Sequence, residues 1–182
     1  MQYFVGYLIR GEVADWHNGL AKEISGKFGT REIYKRVPPH ITLYRPFDTE
    51  DVMPIEKLSQ RWSESYPAAD TLTLSGFGRF DYRVLFVAVN AARSVIDKVA
   101  ELQQEMSVLS HVPFPDYPGG WHPHATLMSE EDEEKVREAW GYLSTLPKPD
   151  ITLPFDNVTL FRFHGGGVWE VDSLHALKSN VE

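Results

Sequence analysis

No cysteine occurs among the 182 residues. Disulfide frameworks, thiolate zinc sites and cysteine nucleophiles are thereby excluded, while the compartment stays open. Long apolar runs are missing as well. The longest, Val84-Leu85-Phe86-Val87-Ala88-Val89, is far short of the roughly 20 residues that cross a bilayer. The amino-terminal stretch lacks the basic region and small-residue cleavage site of a signal peptide, and Tyr3 to Ile9 reads as a strand. The expectation is a soluble, cytoplasmic protein, monomeric by default. Excess positive charge is also absent. A net charge of −8 argues against a general binder of long nucleic acid, whose affinity comes from many phosphate contacts. The charge is uneven, however. Lys27, Arg31, Lys35 and Arg36 precede one stretch of interest, and an acidic run at 130–134 follows another. A small phosphate ester or the end of an RNA remains compatible with that pattern.

What the chain does contain is a repeated pentapeptide. Pro39-His40-Ile41-Thr42-Leu43 returns as Pro123-His124-Ala125-Thr126-Leu127, with the histidines 84 positions apart. In a strand, residues i and i+2 share a face. His40 and Thr42 then point one way, with Ile41 and Leu43 behind them, and His124 and Thr126 do the same in the second half. An apolar share of 42% and an aromatic share of 13% are ample for a folded core, so disorder is excluded.

Periodicity places the remaining elements. Val13, Trp16, Leu20, Ile24 and Phe28 recur at helical spacing, with Gly29 as the stop. A strand is expected over His40 to Tyr44, ended by Arg45-Pro46-Phe47, and a helix over Asp51 to Tyr66 with Met53 on its apolar side. Thr71 to Leu74 alternates as a strand and continues loosely to Phe80. Arg83 to Asn90, apolar throughout, reads as a central strand. Ser94 to Leu109 reads as a helix, His111 to Gly120 as a loop, and Trp121 to Met128 as the second motif strand. Ser129 with Asp132 resembles a cap for a helix reaching Leu146. Ile151 to Phe163 and Val168 to Leu174 read as a hairpin turning at Gly165-Gly166-Gly167.

Both halves therefore run strand, helix, proline-bearing loop, His-x-Thr strand, helix, strand. The expected fold is α+β, a single bilobal domain over residues 1–182 built from two structural repeats. Two mainly antiparallel sheets flanked by helices would be related by a pseudo-twofold about a central cleft.

Two imidazoles on opposite walls can divide acid and base work, because histidine titrates near neutrality. In-line displacement at a phosphodiester needs a base on one side of phosphorus and an acid on the other. Threonine hydroxyls can donate to the non-bridging oxygens. His40, Thr42, His124 and Thr126 are the catalytic candidates. Tyr44 shares the face of His40 by parity, so it can stack on a base or simply form cleft wall; Arg45, Arg79 and His122 are further substrate-binding candidates. Arg83 and Arg162 are weaker phosphate contacts, with solvated arginine at a strand end as the simpler reading. His17, His111, His164 and His175 lack a partner pattern and read as surface or packing residues.

The sequence resembles the 2H phosphoesterases, in particular their bacterial 2′-5′ RNA ligase-like branch. Besides both pentapeptides, the likeness covers Gly76-Phe77-Gly78-Arg79-Phe80, Arg83 to Val87, Phe155 to Phe161 and Val168-Trp169-Glu170-Val171. It implies metal- and cofactor-independent hydrolysis of a 2′,3′-cyclic phosphate, on an RNA end or nucleotide, to a 2′-phosphate, with weak reverse ligation. It also implies that His40 acts as general acid on the leaving 3′ oxygen and His124 as base for water, with Thr42 and Thr126 holding the phosphate. Tyr44-Arg45 departs from the arginine-phenylalanine usual after the first motif, which leaves the preferred substrate open. Two other readings stand beside this one: a metal-dependent hydrolase using His40, His122 and His124, with Asp116 approaching from the loop, and a non-catalytic module binding RNA or nucleotide.

Overall fold

A computed structural model describes residues 1–111 and 120–178, and within them the α+β expectation holds. In chain order the elements are β1 (Gln2–Leu8), α1 (Gly11–Phe28), a short 3-10 turn (Ile33–Lys35), β2 (His40–Asp48), α2 (Met53–Ser65), β3 (Thr71–Phe80) and β4 (Val84–Ala91). There follow α3 (Arg93–Ser110), β5 (His124–Ser129), α4 (Glu133–Leu143), β6 (Asp150–Pro154), β7 (Asn157–Gly165) and β8 (Val168–Ala176). The strands form two antiparallel four-stranded sheets, ordered β2-β1-β7-β8 and β5-β4-β3-β6. A pseudo-twofold relates them: β1 answers β4, β2 answers β5, and each motif strand lies at the edge of its sheet.

The helices cross between sheets. α1 leaves the first sheet and packs on β5 of the second, while α3 leaves the second and packs on β2 of the first. Each motif strand is thus backed by a helix from the opposite half of the chain. α2 and α4 instead return to their own sheets, on β7 and β8 and on β4 respectively. α1 stops at Gly29, which takes the left-handed conformation at φ 60° and donates its N–H to the Ser25 carbonyl, the αL ending that glycine adopts without a Cβ penalty.

Several boundaries differ from the sequence reading. β2 continues through Pro46 to Asp48, because an edge strand tolerates a residue without an N–H. The expected strand from Ile151 to Phe163 is two strands, β6 in the second sheet and β7 in the first, so the chain changes lobes at Phe155-Asp156. The N-cap of α4 is Asp132 itself, whose carboxylate accepts from the N–H groups of Glu134 and Lys135; Ser129 remains the last residue of β5. Met53, expected inside, is exposed, and so is Leu109 near the end of α3. The expected loop from His111 to Gly120, with Asp116, lies mostly outside the described residues. No helix among those described is long and apolar enough to cross a membrane.

Candidate active site

Both motif strands follow the same register. Leu8 pairs with His40 and Gly6 with Thr42, but the next partner of Val5 is Tyr44, so Leu43 is an extra residue. In the second sheet Ala88 pairs with His124 and Phe86 with Thr126, and Leu85 then meets Met128, leaving Leu127 as the extra one. Each His-x-Thr is therefore followed by a β-bulge, which ends the simple period of two. Up to the bulge, parity holds: His40 and Thr42 are half-buried at the cleft and Ile41 and Leu43 are core, as are Ala125 and Leu127 behind His124 and Thr126.

The bulge overturns the expectation for Tyr44. Its side chain is 0% exposed and its hydroxyl is hydrogen-bonded to Ser110 Oγ of α3 at 2.9 Å. It is a core residue rather than a cleft wall. Arg45 beyond it is exposed, and it is the adjacent Pro46 that lines the cleft. Arg79 also lies elsewhere: its guanidinium stacks over the Tyr82 ring at 4.1 Å and donates to the Asp81 carbonyl at 2.8 Å. Alternation along β3 gives the cleft to its neighbour Phe80 instead. Arg162 pairs with Asp172 at 3.3 Å. His122 is exposed at the rim, its ring edge-on to Phe80 and 6.3 Å from that of His124. No group of three or more His, Asp or Glu side chains among the described residues converges to hold a metal ion.

His40, Thr42, His124 and Thr126 do come together, lining one cleft of about 440 Å³ with Ser129 as the other polar contributor. The two rings are held alike. His40 Nδ1 lies 2.8 Å from the Pro38 carbonyl, and His124 Nδ1 lies 2.8 Å from the His122 carbonyl. A carbonyl can only accept, so Nδ1 carries the hydrogen in both, and Nε2 is left to take or give a proton. Each ring also rests on phenylalanines: His40 on Phe4 and Phe161, with centroids 4.8 and 5.3 Å away, and His124 on Phe80 and Phe86 at 4.8 and 5.0 Å. Burial pushes the His40 imidazole down to about 4, reinforced by repulsion from His17 and His124. Burial also lowers His124, with repulsion from His122 adding to it.

Supporting residues fall outside the motifs. Asn157, fully buried, accepts from the Leu8 N–H at 2.9 Å and donates to the Leu8 carbonyl at 3.1 Å, pinning the strand end opposite His40. Trp121 Nε1 donates to the Thr42 carbonyl at 2.9 Å and so ties the approach to β5 onto β2. Trp169 reaches the cleft from the β7–β8 hairpin, whose backbone is fastened by Trp169 N–H to the Arg36 carbonyl and by Arg36 Nη1 to the Gly166 carbonyl. Gln103 of α3 donates to the carbonyl of the bulge residue Leu43 at 2.8 Å. His17 of α1, expected at the surface or in packing, is 4% exposed with its ring toward the backbone of Ala125 and Thr126, yet neither nitrogen forms a hydrogen bond of normal geometry. Of these, His17 was traceable from sequence, three and four residues before Leu20 and Ala21 on the buried helix face.

A family model described as the 2′-5′ RNA ligase superfamily matches residues 12–167. No curated protein sequence matches. Among solved structures, TT0787 of Thermus thermophilus is similar with a TM-score of 0.70 at 20% identity, covering 100% of both chains. E. coli LigT complexed with 3′-AMP is similar with a TM-score of 0.60 at 20% identity, covering 97% of each chain. A structure described as a phosphoesterase has a TM-score of 0.59 at 18% identity, covering 97% of this chain and 98% of its own.

Proposed function

Because this chain belongs to the 2′-5′ RNA ligase superfamily, we propose that it is a phosphodiesterase that opens 2′,3′-cyclic phosphates on RNA ends or small nucleotides by two-histidine acid–base chemistry. The observation that carries this reading is the convergence of both His-x-Thr pairs on one cleft, each imidazole held through Nδ1 by the carbonyl two residues before it. Two Nε2 atoms in one cleft can serve opposite sides of a single phosphorus. One removes a proton from water as its oxygen attacks phosphorus. The other delivers a proton to the 3′ oxygen as the P–O3′ bond breaks, leaving a 2′-phosphate and a free 3′ hydroxyl. The Thr42 and Thr126 hydroxyls donate to the non-bridging oxygens, where charge builds. No step calls for a metal or cofactor, and with a 5′ hydroxyl in place of water as the nucleophile the same sequence forms a 2′-5′ linkage.

Turnover of 2′,3′-cyclic nucleotides and cyclic-ended oligonucleotides, with and without chelator, tests the reading. His40→Ala and His124→Ala should each lower kcat/KM by roughly 10²–10⁴, the range for loss of a positioned acid or base, with the circular dichroism spectrum unchanged. Near-wild-type turnover in either variant removes the mechanism, and chelator sensitivity would favour the metal-dependent alternative.

A further inference from the structure

Apart from its histidines, threonines and Ser129, the cleft is walled by hydrocarbon. Phe4, Val37 and Trp169 contribute from the first lobe, Phe80 and Val84 from the second. Among the described residues no lysine or arginine lines it, and residues 112–119 and 179–182 contain neither. Arg36, next to Val37, is engaged with the Gly166 carbonyl, and Arg45 lies beside the cleft rather than in it. Hydroxyl donors on an apolar wall can match one negative charge, but a second charge loses hydration without a cation to offset it.

Building on the proposed phosphodiesterase activity, we infer that the cleft sorts phosphate esters by charge, holding a singly charged diester and expelling the doubly charged monoester that hydrolysis makes. The depressed basicity of both imidazoles agrees, since neither supplies a resident cation at neutral pH. Product release is thereby driven by the product's own second ionisation.

The test is direct calorimetric binding, which does not depend on turnover. The probes are a nucleoside 2′-monophosphate and its methyl ester, which stays singly charged throughout, each titrated between pH 5.5 and 7.5. With a second phosphate pKa near 6, the singly charged fraction of the monoester falls about 25-fold over that range, and its affinity relative to the methyl ester should fall by the same factor. Ser129→Lys, at the half-buried end of β5, should restore monoester affinity at pH 7.5 by about 10-fold or more relative to the methyl ester. The inference is overturned if the two ligands bind equally at pH 7.5, if the methyl ester does not bind, or if Ser129→Lys leaves the ratio unmoved. It is equally overturned if Arg45→Ala weakens the monoester selectively, because that arginine would then be the missing cation. Failure of the cyclic phosphodiesterase assay would be seen separately, as absent turnover in a protein that still shows this charge preference.

Discussion

His40 rests on Phe4 and Phe161, 4% and 0% exposed, whereas His124 rests on Phe86, 2% exposed, and Phe80, 39% exposed. The motifs, registers and bulges match, and even the carbonyl at Nδ1 is equivalent. The lobes differ in how much water reaches each ring. Desolvation disfavours the charged imidazole, so it acts harder on the first lobe, and the first proton to enter the pair goes to His124. Under the proposed mechanism this comparison would make His124 the acid and His40 the base, the reverse of the order that the family resemblance implies. Solvent access, rather than motif, breaks the symmetry between them.

The largest effect that bears on this difference comes from changing the leaving group. An aryl phosphodiester whose phenolate departs without protonation makes the acid dispensable but still needs the base. His124→Ala should therefore recover activity on such an ester by a factor of ~10² relative to its loss on a cyclic nucleotide, the scale of general-acid assistance, while His40→Ala should not. Recovery in His40→Ala instead would restore the order implied by the resemblance.

The pH profile sharpens the same comparison. The proposed mechanism needs one imidazole protonated and the other neutral, and both lie below the ordinary histidine value in the free protein. The kcat/KM profile, which reports the free protein, should peak on the acid side of pH 6.5 and fall roughly tenfold per pH unit above it. The alkaline limb of kcat should lie higher, because bound phosphate favours the protonated ring. A kcat/KM that stays level to pH 8 would contradict the burial of both rings.

A smaller effect separates the ways the lobes seat their aromatic supports. Opposite Thr126 stands Phe86, whose ring covers Gly78 of β3; opposite Thr42 stands Gly6, covered by Phe161 and Phe4. A Cβ on Gly78 would fall well inside contact with the Phe86 ring, while one on Gly6 would lie 3.0 Å from Phe161. Gly78→Ala should cost about 1–3 kcal/mol in chemical denaturation, the usual scale of overpacking, and push Phe86 against His124. Gly6→Ala should cost less. Equal costs would mean that the two floors are equally tight.

Much of the site was legible because its signal repeats. Two copies of His-x-Thr with apolar residues between them determine which side chains face the cleft, up to the bulge. Beyond Thr42 and Thr126 nothing marks an extra residue: Leu43 and Leu127 continue the apolar alternation, so parity misassigned Tyr44. Likewise Ile151, Leu153 and Phe155 alternate and Val158 and Leu160 resume the pattern after Asp156-Asn157; that polar pair shifts the phase, but only tertiary pairing shows that the two pieces belong to different sheets. The partnership of Arg79 with Tyr82 depends on which face of β3 meets the cleft, which the loose glycine segment leaves undetermined.

The smallest difference tests the two crossing helices. α1 and α3 each have 18 residues, and counted from their first residues His17 falls where α3 has Val99, and Gln103 where α1 has Ala21. At these positions each helix buries a polar side chain near the motif strand it backs, but Gln103 is satisfied by the Leu43 carbonyl and His17 is not. Burial pushes His17 down to about 4 from an ordinary 6.5. Between those values the unfolded chain binds the extra proton, so stability present above pH 6.5 is lost as pH falls toward 4, by roughly 3 kcal/mol for this residue. His40 adds to the loss with the same sign. His17→Leu, which removes the titrating group and keeps the apolar contact, should leave the melting temperature at pH 7 nearly unchanged and reduce its fall between pH 7 and pH 4.5. Gln103→Leu should instead lower stability alike at both pH values, because it strands a buried carbonyl and titrates nothing. If His17→Leu melts with the wild-type pH dependence, the acid sensitivity belongs to the cleft histidines alone and the two helices differ only in shape.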